Sequence, residues 1–544
     1  MNGVLSYFFR MYIATVPNRK SPPAILLRES YRDQGKVKTR TIANLSHWAP
    51  DRIEALRKAL KGDFDGMDGE AVSGEIFGVL FALKQLADQV GMTRVLGPSE
   101  EGRLALFLIV ARIAHAGSRL SAVRWAEQHA VSDILGLEAF DENDLYAALD
   151  WLAVEQTRIE QQLYQRYVKD TGTPPAIVLY DVTSSYFEGE QNELADYGYN
   201  RDGKKGKRQI VIGLLSGADG EPLAVRVFEG NTADPSTVTT QIELLKQQFG
   251  VAEVVFIGDR GMLKAKGKAA LGAEGWRYIS ALTKPQVRAV LSKGVLQPDL
   301  FDEDIGEVVQ DGKRLITRRN PSMQRRMRAR RADKLQQLER RIAERNAFVS
   351  QSTRADPAAG LRQLEQWVKR YKLHSFVTLS LEQDQIRCTI DQDQLDEAAL
   401  LDGCYVLETT VPSATMDRQS IDERYRDLQQ VERNFRTMKT DFLEVRPIFL
   451  RNGERTKAHV FVAMLALKIT RRFQSLLQQA FGTTDDAPLA MTPDDALQAL
   501  SRLTYLIYDV KGSRYARLIQ PDDEQRTLLD ALGLRFPRQT AKAL

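Results

Sequence analysis

AIVLYDVTSSYFE, residues 176–188, is a run rich in β-branched and aromatic residues with a carboxylate, Asp181, near its middle. That composition predicts a buried strand. KRQIVIGLLSG (207–217) reads as a second strand, and after the turn Ala218-Asp219-Gly220, EPLAVRVFEG (221–230) reads as a third. A helix is expected from Ser236 to Phe249, then a fourth strand, EVVFIGD (253–259), closing on Asp259. A charge inside a buried strand costs several kcal/mol unless it is paired or holds a metal. Each carboxylate alone has an ordinary reading, and Asp259 before Arg260-Gly261 suits a turn. Together they are harder to set aside.

Three strands in a meander, a crossover helix and a fourth strand are the opening topology of a ribonuclease-H-like α/β fold. There the first and fourth strands are neighbours, so Asp181 and Asp259 meet at one edge of the sheet. A third carboxylate is offered by SIDERYRDLQQVERNFRTMKTDF, residues 420–442. Ser420 and Glu423 have the form of a capping box and predict a helix start. Leu428, Val431, Phe435, Met438 and Phe442 make an apolar stripe at helical spacing, with Tyr425, Glu432, Arg436 and Lys439 in a polar row beside it. Alone, this is an amphipathic helix with a boundary ion pair. Beside Asp181 and Asp259, Glu432 completes a cluster.

Three converging carboxylates repel one another unless a cation sits among them. Oxygen-only ligation selects Mg²⁺ or Mn²⁺ over zinc. Two such ions suit in-line displacement at phosphorus, with Asp181 and Asp259 sharing the first and Glu432 holding the second. The glycine-rich loop GYNRDGKKGKR (198–208) carries Arg201, Lys204, Lys205, Lys207 and Arg208 and suits a phosphate backbone, or else a solvated hairpin tip. Thr183 shares the strand face of Asp181, and Asn231 reads as a turn residue.

The whole chain has 544 residues, which implies three or four units. Lys+Arg 76 against Asp+Glu 72 leaves a net +4, so a nucleic-acid partner must be argued from local clusters. Cys388 and Cys404 cannot make a disulfide framework, and no Cys/His group has zinc spacing. The apolar start GVLSYFFRMYIATV (3–16) is short and broken by Arg10, so neither a signal peptide nor a membrane span is expected. The expected organisation is a small β unit with linker over 1–70, including a hairpin turn at Gln34-Gly35, and a helical, DNA-end-binding domain over 71–170 with Arg103, Arg112, Arg119 and Arg124. The α/β catalytic domain follows in two parts, 171–284 and 404–475, interrupted over 285–403 by a β-rich insertion with a basic helix, RRMRARRADKLQQLERRIAERNAF. Residues 476–544 form a tail suited to dimer contact, and His459 reads as structural.

YDVTSSYFE, GYNRDGKKGKRQIVIGLL, FEGNTADPST, FIGDRGM and ERYRDLQQVERNFRTMK together resemble the insertion-sequence transposases of the DDE, cut-and-paste class, in the branch with a β-rich insertion in the catalytic domain. The resemblance runs from about Met11 to about Arg472, leaving residues 1–10 as an extension. It implies that Asp181, Asp259 and Glu432 are the catalytic, metal-binding carboxylates and that Tyr425 and Lys439 contact the transposon end. It further implies double-stranded DNA at terminal inverted repeats and target DNA as partners, a homodimer on paired ends, and a cytoplasmic, nucleoid-associated bacterial protein without membrane contact. The branch has an arginine in the glutamate helix where this chain has Leu428. The competing readings are a ribonuclease-H-like nuclease without strand transfer, and a DNA-binding repressor or decayed transposase.

Overall fold

The computed structural model describes residues 10–18, 22–33, 36–61, 70–189, 191–199, 201–301, 304–352, 355–446, 448–482, 491–510, 513–537 and 541–543. The chain divides into two compact units, one of residues 1–75, 504–520 and 537–544, the other of 76–503 and 521–536. Among the described residues no single helix is long and apolar enough to cross a membrane.

In the first unit, β1 (Arg10–Val16), β2 (Ala24–Asp33) and β3 (Lys36–Asn44) form an antiparallel sheet in chain order. The expected turn at Gln34-Gly35, and all but Arg10 of the expected extension over 1–10, lie outside the described residues. A helix, Pro50–Lys61, and β4 (Glu70–Ile76) follow.

The second unit begins with helices, the longest of them Glu100–Ala114 and Glu142–Thr171, capped by Ser99 and Asp141. Its centre is a mixed sheet. The strands are β5 (Ile177–Tyr186), β6 (Gln209–Gly217), β7 (Pro222–Phe228), β8 (Val255–Gly258), β9 (Arg277–Ala281), β10 (Gly306–Gln310) and β11 (Lys313–Arg319), joined after the short hairpin β12 (Val377–Glu382) and β13 (Gln385–Ile390) by β14 (Cys404–Thr409). The spatial order is β10-β11-β14-β9-β8-β5-β6-β7, with β8 parallel to both β5 and β9. The fold is therefore mixed α/β, and the meander, crossover helix and fourth strand stand where the sequence predicted them.

Alternation along β5 sends Val178, Tyr180 and Val182 into a core with Phe256, Val238 and Ile242. Asp181 and Thr183 take the opposite face, on which the helix Leu428–Arg436 packs. The buried helix Gly453–Phe481 packs against β7 and against the helices Glu100–Ala114 and Glu142–Thr171.

Two expectations give way. β10, β11 and β14 extend the main sheet, and the chain between β11 and β14 is mostly helical, with long helices at Pro321–Gln351 and Pro357–Arg370. A β-rich insertion over 285–403 is thus not what forms. The helices bury only a narrow stripe, Leu338 and Ile342 against Leu364 and Val368, which the surrounding arginines hide in sequence. The tail is also not separate: its strands β15 (Thr504–Val510), β16 (Ser513–Leu518) and β17 (Ala541–Ala543) belong to the first unit, in the sheet order β17-β16-β15-β4.

Candidate active site

The ladder between β5 and β8 pairs Leu179 with Ile257 and Tyr180 with Gly258. One residue further on, Asp181 stands beside Asp259. Neighbouring strands lie ~4.8 Å apart, so the two carboxylates leave adjacent backbones at one level. Asp181 is partly exposed and Asp259 exposed, at the end of a strand that is buried as far as Gly258. Ser280 on β9 donates its hydroxyl to the Asp259 carbonyl at 3.3 Å and ties the turn down.

The third carboxylate arrives on a segment that differs from the expected continuous helix. It starts at Arg418, because the Asp417 side chain, not Ser420, accepts the free N–H of Ser420 at 2.7 Å. The helix Arg418–Arg426 stops, a second runs Leu428–Arg436, and a π-helical turn covers Thr437–Asp441. The first helix packs on β8 and β9, the second on β5 and β6. Asp422, fully buried, anchors the first by accepting from Arg318 on β11, Tyr405 on β14 and its own neighbour Arg426. Asn434 anchors the second by donating to the Gly220 carbonyl at 2.8 Å. Gly220 has φ +80°, and a side chain there would press on Gln430, so the tight β6–β7 turn is what lets this helix approach. Val431, Phe435 and Met438 are at most 6% exposed. Each adds roughly 1.5–3 kcal/mol of burial. The π turn inserts one residue into the stripe, so Leu443 is buried where Phe442 was expected to be.

This path carries Tyr425 to β8 and Glu432 to β5. The Tyr425 hydroxyl donates to Asp259 Oδ1 at 3.1 Å. Burial, and then the negative charge of Asp259, hold that phenol protonated far above its ordinary range. The Asp181 carboxyl is pushed up to about 7, first by burial and then by the charges of Asp259 and Glu432, against the pull of the Val182 N–H. Asp259 and Glu432 therefore both act on Asp181. The three carboxylates are not closed into a cage as the side chains stand: among the described residues no three His, Cys, Asp or Glu groups are gathered for an ion. The donor set is nevertheless all oxygen, and a divalent cation relieves the repulsion that raises Asp181.

Lys439, expected at the DNA, turns inward. Its ammonium donates to Thr183 Oγ1 at 2.9 Å and to Asp202 Oδ1 at 2.7 Å. Asp202 also accepts from Arg446 and from the Tyr186 N–H. This carboxylate, 2% exposed, was not singled out in sequence, although it is the one acid in a loop of five cations. Arg201 forks onto Asp234 with both contacts at 2.6 Å, Lys207 pairs with Glu188, and Lys204 and Arg208 lie over the rings of Tyr186 and Tyr197. Lys204, Lys205 and Lys207 remain exposed, as does Arg436. Leu428 is buried at the break between the helices, where an arginine would lose its water. Asn231 donates to Asp196 as a turn residue. His459 is buried between Arg119 and the Val445 carbonyl, in a structural role.

Residues 172–469 match the family model described as Transposase DDE domain, and residues 13–71 match that of the IS1634 family transposase, N-terminal domain. The first match spans more than half of the 544 residues, and the chain belongs to the DDE transposase family. With the second match, it is an insertion-sequence transposase of the DDE class. Among curated proteins, none matches the chain. Two solved structures resemble it weakly. One is a piggyBac transposase synaptic complex with hairpin DNA, at 7% identity and TM-score 0.36, over 78% of this chain and 75% of that one. The other is a Mos1 transposase paired-end complex with left transposon end, at 11% identity and TM-score 0.15, over 34% and 58%. At these scores neither likeness bears on the fold or the chemistry.

Proposed function

We propose that this transposase cleaves DNA at the ends of its insertion sequence and joins them to target DNA, with Asp181, Asp259 and Glu432 holding two divalent cations, Mg²⁺ or Mn²⁺. In this reading β5 to β9 and their helices are a ribonuclease-H-like domain, with the helical segment between β11 and β14 as its insertion. The observation that carries it is the parallel register of β5 and β8, which leads two strands to a carboxylate at the same level. Cations held by such oxygens activate a water or a 3′-hydroxyl and stabilise the leaving oxygen in an in-line displacement.

The chain's own residues supply the rest. Asp181 presents its oxygens from a strand, which fixes them more closely than a loop does, and Asp259 from the residue just past one, where Ser280 bonds its carbonyl. Tyr425 orients Asp259 by donating to it. Asn434 and Asp422 hold the helix pair that presents Glu432. Lys439, beside Thr183, puts positive charge one short step from Asp181, and Arg436, Lys204, Lys205, Lys207 and Arg208 offer charge to the DNA backbone around it. The partners are double-stranded DNA at terminal inverted repeats and target DNA, and two copies act on paired ends.

The test is cleavage of a duplex carrying the element's own terminal repeat, in Mg²⁺. Asp181→Ala, Asp259→Ala and Glu432→Ala should each abolish cleavage while leaving duplex binding largely intact. Normal cleavage by any one of them removes that residue from the chemistry.

A further inference from the structure

A cavity of about 500 Å³ opens within the second unit, away from the three carboxylates. It is lined by Arg112, Arg119, Arg446, Arg451, Arg455 and His459, and Glu444 is the one acid on its described wall. Two of the guanidiniums are matched from outside the lining: Arg455 forks onto Asp150 at 2.7 and 2.8 Å, and Arg446 pairs with Asp202. Among the described residues, Arg112, Arg119 and Arg451 form no ion pair. Arg119 donates to His459 Nδ1 at 2.8 Å, but its Nε is buried with no partner among the described residues. His459 brings no charge, since burial holds it well below its ordinary value. Burial and the neighbouring Arg119 likewise pull the Arg112 guanidinium down, to about 10, and Glu444 only partly offsets them.

Arg112 and Arg119, close together and largely desolvated, are costly where Glu444 and Glu142 only partly offset them. Their planar fork matches phosphate oxygens in pairs. The volume falls in the ~300–1,000 Å³ range of small-ligand pockets, which accommodates a phosphodiester with its sugar. Glu444, the lone acid, sits at φ +37°, a strained conformation for a residue with a side chain. It is held there by the bonds that Leu443 and Val445 send back to Thr437 and Met438, at 3.1 and 2.8 Å.

The cavity is joined to the strand that carries Asp181 through Asp202 and Lys439. Arg446 on its wall bonds Asp202, Asp202 accepts from Lys439, and Lys439 bonds Thr183, two residues along β5 from Asp181. The geometry points to a second phosphate subsite here, taking a backbone phosphate of the same DNA strand whose reacting phosphodiester lies at Asp181 and Asp259. This inference rests on the reading of those carboxylates given above. Arg112, Arg119 and Arg451 are the residues that hold the phosphate, and Asp202 sets the spacing between the two sites.

Arg451 is exposed at the cavity, so Arg451→Gln tests the idea without disturbing the core; Arg119→Gln, which keeps a donor toward His459, tests the interior. Binding of the full-length protein to its terminal-repeat duplex would be followed by fluorescence anisotropy in EDTA across a range of NaCl concentrations. Each substitution should flatten the slope of log affinity against log salt by about 0.9, which is roughly an eightfold loss at 0.1 M NaCl. Wild-type slopes in both variants would overturn the inference. A calorimetric titration with inorganic phosphate separates the other source: tight binding lost in both variants, with DNA slopes unchanged, would make this a free-anion site and overturn the DNA assignment. Cleavage by Asp181→Ala would sink the carboxylate reading whatever the cavity does. A dead Asp181→Ala with unaltered arginine variants sinks only the cavity.

Discussion

Asp181→Asn should stabilise the metal-free protein at alkaline pH while destroying its chemistry. In the unfolded chain this carboxyl ionises near 3.8, and in the fold near 7. Between those values the folded state binds more proton than the unfolded one, so stability falls as pH rises. The loss is absent below about pH 4 and complete above about pH 7. At about 1.4 kcal/mol for each pH unit, it approaches ~4 kcal/mol. Asparagine keeps an acceptor for the Val182 N–H and carries no charge, so the variant escapes the loss. Thermal unfolding of both proteins in EDTA, at pH 4.5 and pH 8, measures it. For a unit of this size about 1 kcal/mol moves the transition by roughly 1 °C, so the variant should gain on wild type by up to about 4 °C at pH 8 and by little at pH 4.5. Mg²⁺ added at pH 8 should raise the wild-type transition more than the variant's. Parallel pH curves in EDTA would refute the reasoning, because they would mean that neither burial nor the charges of Asp259 and Glu432 raise Asp181.

Replacing Lys204, Lys205 and Lys207 together with Ala should flatten the salt dependence of duplex binding, most through Lys205, since Lys207 already pairs with Glu188 and Lys204 lies over Tyr186. An unchanged slope returns the loop to a solvated hairpin tip. Asp422→Ala should cost about 3 kcal/mol in urea denaturation, at the low end for a broken buried pair because the stranded Arg318 and Arg426 are 23% and 46% exposed and find water. A loss under about 0.5 kcal/mol would mean that the carboxylate does not anchor the glutamate helix.

The meander was legible because β6, β8 and the first half of β5 are apolar, so a charge inside β5 and another one residue past β8 stand out. What the sequence hid was geometry decided by partners far along the chain. The cap at Asp417 and the break at Asp427 depend on how the helix meets β8 and β5. The inward turn of Lys439 depends on Asp202, more than two hundred residues earlier, whose single negative charge is lost in a basic loop. Periodicity reads a stripe, and the π turn that advances this one by a residue leaves no mark in composition. The long arginine-rich helix was visible, but the helical character of the region around it was not, since its buried stripe is only one residue wide.

The pairing of β4 with β15 has a consequence in time. β4 lies at the edge of its sheet and, among the described residues, its partner strand there is β15, which is Thr504–Val510, with Ile76 alone also bridging to His129. At about 5–20 residues per second, a ribosome that has just made β4 needs roughly 20 to 90 s to deliver its partner. Through that interval the growing chain carries a strand that can bond at Ile76 but waits for its partner over the rest of its length, the kind of edge that recruits other chains. A second nascent copy on the same message is the nearest such chain. Slow translation of the long middle of this protein should therefore favour tangled polysomes, and fast translation clean monomers.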